Sequence, residues 1–240
     1  MGHAYSALFT WDAAKKAGGQ VLLRIEDIDL GRCRGEYRDQ IYDDLAWLGL
    51  SWPKPVRIQS EHFDDYRAAA AVLRDEGLLF PCFCSRKQIV DASDGQKDPD
   101  GAVRYPGTCR HLSLQEVQLK KASGEKFSLR LDMARAIEMV GKVGRDYADL
   151  ENWGDVVLVR KDIPTSYHLS VVVDDGLQGI THVTRGMDMF AATAIHILLQ
   201  KLLELETPDY QHHELVEDNL GRKLAKSEGD KSLKALRAEG

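Results

Sequence analysis

Two short clusters, Cys82-Phe83-Cys84 and Cys109-Arg110-His111, carry the residues best suited to gripping a metal. Two thiolates one residue apart reach an ion from a single turn. A second pair returned by a loop completes a tetrahedron, the arrangement of a closed structural zinc site. The fourth donor is open on chemistry alone. His111 offers imidazole, the better generic ligand, and Tyr105, four residues before Cys109, offers a phenolate. The competing reading is three buried cysteines with no metal. Cys33 stands apart from the cluster, so the four cysteines do not form a disulfide framework.

Other residues suit a phosphorylated, charged substrate. Lys223-Leu-Ala-Lys226-Ser227, after Gly221-Arg222, puts two ammonium groups and a hydroxyl in a Gly-flanked segment fit for a polyphosphate. By itself it would read as a solvated tail. Gly2-His3 stands at the start of a helix, where free N–H groups and the positive dipole end favour a phosphate. Arg24-Ile-Glu26-Asp27-Ile-Asp29 follows a short apolar run, and a carboxylate beyond a strand end can hold an ammonium group. Tyr167 and Arg185-Gly186-Met187-Asp188 form the last group. The planar guanidinium of Arg185 matches a carboxylate, or pairs with Asp188 inside the protein, and Gly186 lets the chain turn.

The elements that must position these groups read as α/β. Helices are predicted over 4–17, closed by Gly18 and Gly19, over 36–48, from a Ser60 cap to Gly77, from a Ser113/Glu116 capping box to 122, and over 188–205. Strands are predicted over 21–25, 78–83, 127–131, 155–160 and 180–184, with 91–101 a loop and 167–173 open between helix and strand. Strands alternating with helices imply a parallel sheet. The organisation is split: 1–80 opens the sheet, 81–132 is a cysteine-bearing insertion, and 133–240 returns to α/β.

Composition narrows the function class. With 43% apolar and 29% charged residues, the chain buries a core and is not disordered. No run approaches the ~18 apolar residues of a membrane span, and the first residues lack a signal peptide's pattern, so a cytoplasmic protein is expected. The net charge of −6 argues mildly against wholesale polyanion binding and leaves room for a local basic patch.

Together these motifs resemble one family, the class I aminoacyl-tRNA synthetases of the glutamyl type. Gly2-His3-Ala-Tyr-Ser-Ala-Leu resembles the second half of the HIGH motif and its helix, and Lys223 to Ser227 resembles KMSKS. Arg24 to Asp29 is similar to the family's RIEDTD segment, here RIEDID, the form of its glutamyl-queuosine branch. Tyr167 to Asp175 (YHLSVVVDD) and Arg185 to Asp188 (RGMD) match the same group, and Cys82-x-Cys84 with Tyr105-x3-Cys109 is similar to its zinc site. Nearly the whole chain is covered. Each motif alone is weak to moderate, but five in order are specific.

The resemblance implies a Rossmann-like class I catalytic domain with a small zinc-bearing insertion. It implies that Glu26 binds the amino group of L-glutamate, and that Tyr167 and Arg185 complete its pocket. Gly2, His3, Lys223 and Lys226 would bind ATP, with His3 and Lys226 catalytic. Cys82, Cys84, Tyr105 and Cys109 would hold a structural Zn2+, and Mg2+ would accompany ATP. The implied reaction is ATP-dependent formation of glutamyl-adenylate and transfer to the queuosine wobble base in the anticodon stem-loop of tRNA(Asp), by a monomer. The family's pattern starts with a strand and an APSPTG-like segment, so the resemblance implies a chain that opens inside the HIGH motif. Two alternatives stand beside it, a truncated discriminating glutamyl-tRNA synthetase and a non-catalytic zinc-containing RNA-binding relic.

Overall fold

The computed structural model describes residues 2–141 and 147–216 together with Leu233 and Arg237. In chain order the elements are α1 (Gly2–Lys16), β1 (Arg24–Ile25), α2 (Gly35–Trp47), β2 (Arg57–Ile58), α3 (Phe63–Asp75), β3 (Leu79–Cys82), α4 (Arg86–Ala92), α5 (Leu114–Ala122), β4 (Ser128–Leu131), α6 (Met133–Val140), β5 (Val157–Val159), α7 (Tyr167–Leu177), β6 (His182–Gly186), α8 (Thr193–Leu202) and β7 (Asp209–His213). They group into two compact units, one of residues 1–61, 182–190 and 209–240, the other of 62–181 and 191–208.

The first unit holds the parallel pairing expected of an α/β chain. β1 pairs with β2 in parallel, and β6 pairs with β7 in parallel from His182↔Asp209 to Gly186↔His213. Of the predicted strand 21–25 only Arg24 and Ile25 form a ladder, because only they face partners among the described residues. Helix α1 packs on β6, with the Thr10 and Thr184 hydroxyls 2.6 Å apart. The rings of Tyr5 and Phe9, one and two turns into α1, lie 5.1 and 5.2 Å from that of His213, the last residue of β7. The helix therefore runs against the strands, and its N-terminus lies at their carboxyl ends.

The second unit is built on the antiparallel sheet β3-β4-β5 and on helices α3, α6, α7 and α8. Tyr66, Ala70 and Leu73 recur at helical spacing on α3 and are buried, and α3 packs on α7. The Tyr66 hydroxyl donates to both carboxylate oxygens of Asp174, at 3.0 Å each. Segment 167–173, open from sequence, is helical despite three consecutive valines. Ser166 caps it by accepting the Leu169 N–H, and every residue from Leu169 to Asp175 is buried, so packing overrides β-propensity.

Several local expectations are corrected. Ser60 does not cap a helix: α3 starts at Phe63 after His62. Instead the Ser60 N–H and hydroxyl both donate to Asp27, at 2.8 and 2.7 Å. Helix α8 starts at Thr193, a 3-10 turn at Met187–Met189 taking up the earlier part of the predicted span. Helices α4 and α6, absent from the sequence reading, begin at side-chain caps from Ser85 and Asp132. The Ser113/Glu116 capping box forms as expected.

Candidate functional site

Strand alternation builds the cysteine cluster. Antiparallel pairing sets Cys82 opposite Ser128 and Phe80 opposite Arg130, so these four side chains share one face of the β3–β4 ladder. Cys84, two residues beyond Cys82, follows before Ser85 opens α4. The segment 105–109 then brings back Tyr105 and Cys109, both buried, through Gly107 at φ +82°, a left-handed position suited to glycine. The three sulfurs lie within 4.8 Å of one another, and Cys84 Sγ is 3.5 Å from Cys109 Sγ. Tetrahedral thiolates on zinc sit about 3.8 Å apart, so this spread fits the ion.

Tyr105 joins the cluster at its hydroxyl. Its oxygen lies 3.4 Å from Cys82 Sγ and accepts the Cys109 N–H at 2.7 Å. His111 is exposed and is not part of the group. Burial, then hydrogen bonding with Cys109 and the neighbouring sulfurs, pushes the Cys84 thiol up to about 11. Burial also presses upward on Cys82, but the Tyr105 hydroxyl and the Arg130 guanidinium prevail, and its pKa falls below the usual thiol value. The Tyr105 phenol is raised by burial and by its bond with Cys82.

Arg185 lies near the carboxyl end of β6, 9% exposed, its Nε donating to His212 Nε2 at 3.4 Å and its guanidinium 4.8 Å from the centre of the Tyr210 ring. Burial, then the charges of Arg185 and His213, hold His212 below the ordinary histidine range, so it stands neutral beside the guanidinium. Gly186 has φ −69°, so the backbone does not use glycine for turning here. A Cβ at this position would come 2.5 Å from Asp188 Oδ1 and 2.9 Å from Leu215 Cδ2. Gly2 and His3, in the first turn of α1, lie at the same carboxyl end of the β6–β7 pair, and His3 is exposed.

Glu26 directly follows β1, is exposed, and meets Arg24 at 3.4 Å. Tyr167 opens α7 in the other compact unit, its ring 5.7 Å from that of His196 and 5.8 Å from that of His168. Lys223 and Lys226 lie outside the described residues. Sequence reasoning missed Arg130 and His212, and assigned Ser60 to a cap instead of to Asp27. Nothing local marked the partners of His212 and Ser60, which are 27 and 33 residues away.

No helix among the described residues is long and apolar enough to cross a membrane. The family described as tRNA synthetases class I (E and Q), catalytic domain, matches residues 1–240. The chain is 42% identical, over all of its length and 91% of the relative's, to the glutamyl-Q tRNA(Asp) synthetase of Rhodobacter capsulatus. It is 37% identical to that of Nitratidesulfovibrio vulgaris, over all of this chain and 78% of the relative's. The crystal structure of the glutamate-tRNA synthetase from Elizabethkingia anophelis matches 95% of the chain with a TM-score of 0.77 at 25% identity. This chain spans about half of that solved protein, 50% of its length.

Proposed function

The chain belongs to the family of class I tRNA synthetase (E and Q) catalytic domains, ligases of the aminoacyl-tRNA synthetase type, and from that membership we propose that it activates L-glutamate with ATP and passes the glutamyl group to the queuosine wobble base of tRNA(Asp). The observation that carries the acceptor is the match, at 42% and 37% identity over the whole chain, to synthetases named for glutamyl-Q tRNA(Asp).

In this reading a carboxylate oxygen of glutamate attacks the α-phosphorus of ATP. The bond to the bridging oxygen breaks, and pyrophosphate leaves with its electron pair. Positioning and charge neutralisation do most of this work. Arg185 faces a glutamate carboxylate. A neutral His212 beside it supports that role, since it adds no second positive charge and positions the guanidinium. Glu26 takes the substrate ammonium and Tyr167 completes the pocket. His3 at the N-terminus of α1 and Lys226, with Gly2 and Lys223, hold the phosphates with their Mg2+.

Segment 81–132 is read as an insertion within a catalytic domain formed by 1–80 and 133–240. It carries a structural zinc on Cys82, Cys84, Tyr105 and Cys109. The spacing of the three sulfurs and the Tyr105 contact support this. A bound zinc there would cross-link β3 to the loop 105–109 and leave no open coordination position for substrate.

The test is glutamate-dependent exchange between ATP and pyrophosphate, followed by transfer of labelled glutamate. Labelling is expected with tRNA(Asp) that carries queuosine and not with the same tRNA lacking it. Labelling of tRNA(Glu) instead would assign the chain to glutamate–tRNA ligation, and no exchange at all would end the synthetase reading for this chain.

A further inference from the structure

A divalent ion held by three thiolates carries a net charge of about −1, and a phenolate as fourth ligand makes it about −2. Such a charge in a buried cluster is costly unless a cation lies against it. Arg130 is a cation placed beside the cluster. It shares the face of the β3–β4 ladder with Cys82. Its guanidinium carbon lies 3.9 Å from the centre of the Tyr105 ring, and Nη1 donates to the Asp155 backbone carbonyl at 2.7 Å. Its Nε is buried and has no hydrogen-bond partner.

Its charge also lacks a carboxylate. Asp155 is the neighbouring acid, but its side chain is taken by Arg110 at 2.9 and 2.5 Å and by the Met133 N–H at 3.1 Å. Among the described residues no acidic side chain forms an ion pair with Arg130. A half-buried arginine placed against a phenol ring and a thiol, with its charge unspent, fits a site that becomes anionic when filled.

We infer that Arg130 is the counter-ion of the metal centre, offsetting the negative charge of a zinc–thiolate cluster and so setting how tightly Cys82, Cys84, Cys109 and Tyr105 hold the ion. This rests on the zinc reading of those four residues. Arg130 is a positioning and charge-balancing residue and does not touch substrate.

The experiment is a zinc titration of the full chain against a chromophoric chelator, with Co2+ as a spectroscopic reporter of thiolate coordination. Arg130→Met is expected to weaken zinc binding roughly 10–100-fold, the usual cost of losing an outer-shell partner. Arg130→Lys keeps the charge and is expected to recover most of that loss, while the thiolate-to-cobalt band persists in both variants. Equal zinc affinity in the parent and Arg130→Met overturns the inference and leaves the metal site standing. Equal weakening by Met and Lys also overturns it, since that outcome makes ring stacking, not charge, the contribution. Arg130→Gln provides a second neutral variant, and neutral variants that both fail to fold with zinc present make Arg130 a framework residue and overturn it too. A parent chain that takes up no zinc overturns the metal reading and this inference together.

Discussion

The Tyr105 hydroxyl oxygen accepts the backbone N–H of Cys109 at 2.7 Å, which closes the loop 105–109 beside the thiol cluster. The same oxygen lies 3.4 Å from Cys82 Sγ, whereas His111 is exposed. Tyr105→Phe is therefore expected to weaken zinc binding by at least about tenfold, and His111→Ala to leave it unchanged. Zinc retained per chain after dialysis against a chelator decides between them. Loss of metal in His111→Ala with retention in Tyr105→Phe would reverse the assignment.

Arg185 is expected to set the requirement for glutamate. The residue is 9% exposed, so an ion pair with a substrate carboxylate would be largely desolvated. Arg185→Ala should cost roughly 2–5 kcal/mol in apparent glutamate binding, with a much smaller change for ATP. Exchange kinetics with each substrate varied in turn provide the measurement. Equal damage to both would make Arg185 structural.

His212 predicts a pH dependence of folding. Burial and the Arg185 charge lower its pKa in the native state, while the unfolded chain keeps a value of about 6.5. The unfolded state thus binds the proton more tightly. This contribution to stability is full above that unfolded value and is lost as the pH falls below it, toward the lowered native one. Thermal melting between about pH 5 and 8 should show a steeper acid-side loss in the parent than in His212→Gln. Parallel curves would show that His212 does not stand neutral in the folded chain.

Lys226 belongs to the segment Lys223-Leu-Ala-Lys226-Ser227, outside the described residues, and its role rests on resemblance to KMSKS. Charge builds on the phosphate oxygens during attack, and an ammonium held there favours the transition state over the bound substrate. Lys226→Ala should slow adenylate formation about 10²–10³-fold at saturating ATP and glutamate, with Lys223→Ala milder. Single-turnover adenylate formation at the parental rate would reduce the segment to a solvated tail.

The motifs of this chain were legible in its sequence because each depends on residue type at fixed short spacing. Cys82-x-Cys84, Tyr105-x3-Cys109, RIEDID and RGMD can be read without coordinates, as can the Ser113/Glu116 capping box, whose two members are three residues apart. The parallel pairing expected from alternating strands and helices appears in β1–β2 and β6–β7, but the predicted strands 78–83, 127–131 and 155–160 pair antiparallel as β3-β4-β5, a register that local pattern does not encode. The rest required tertiary structure, since it arises from contacts between distant segments. Whether 167–173 would be helix or strand was decided by burial of every residue from Leu169 on and by Tyr66 reaching Asp174, 108 residues away. Ser60 caps no helix and donates to Asp27, 33 residues away, a partner that local pattern cannot reveal. Arg130 comes to face Tyr105 only because the β3–β4 register sets it opposite Phe80 on the Cys82 face, and a one-residue slip would have turned it away.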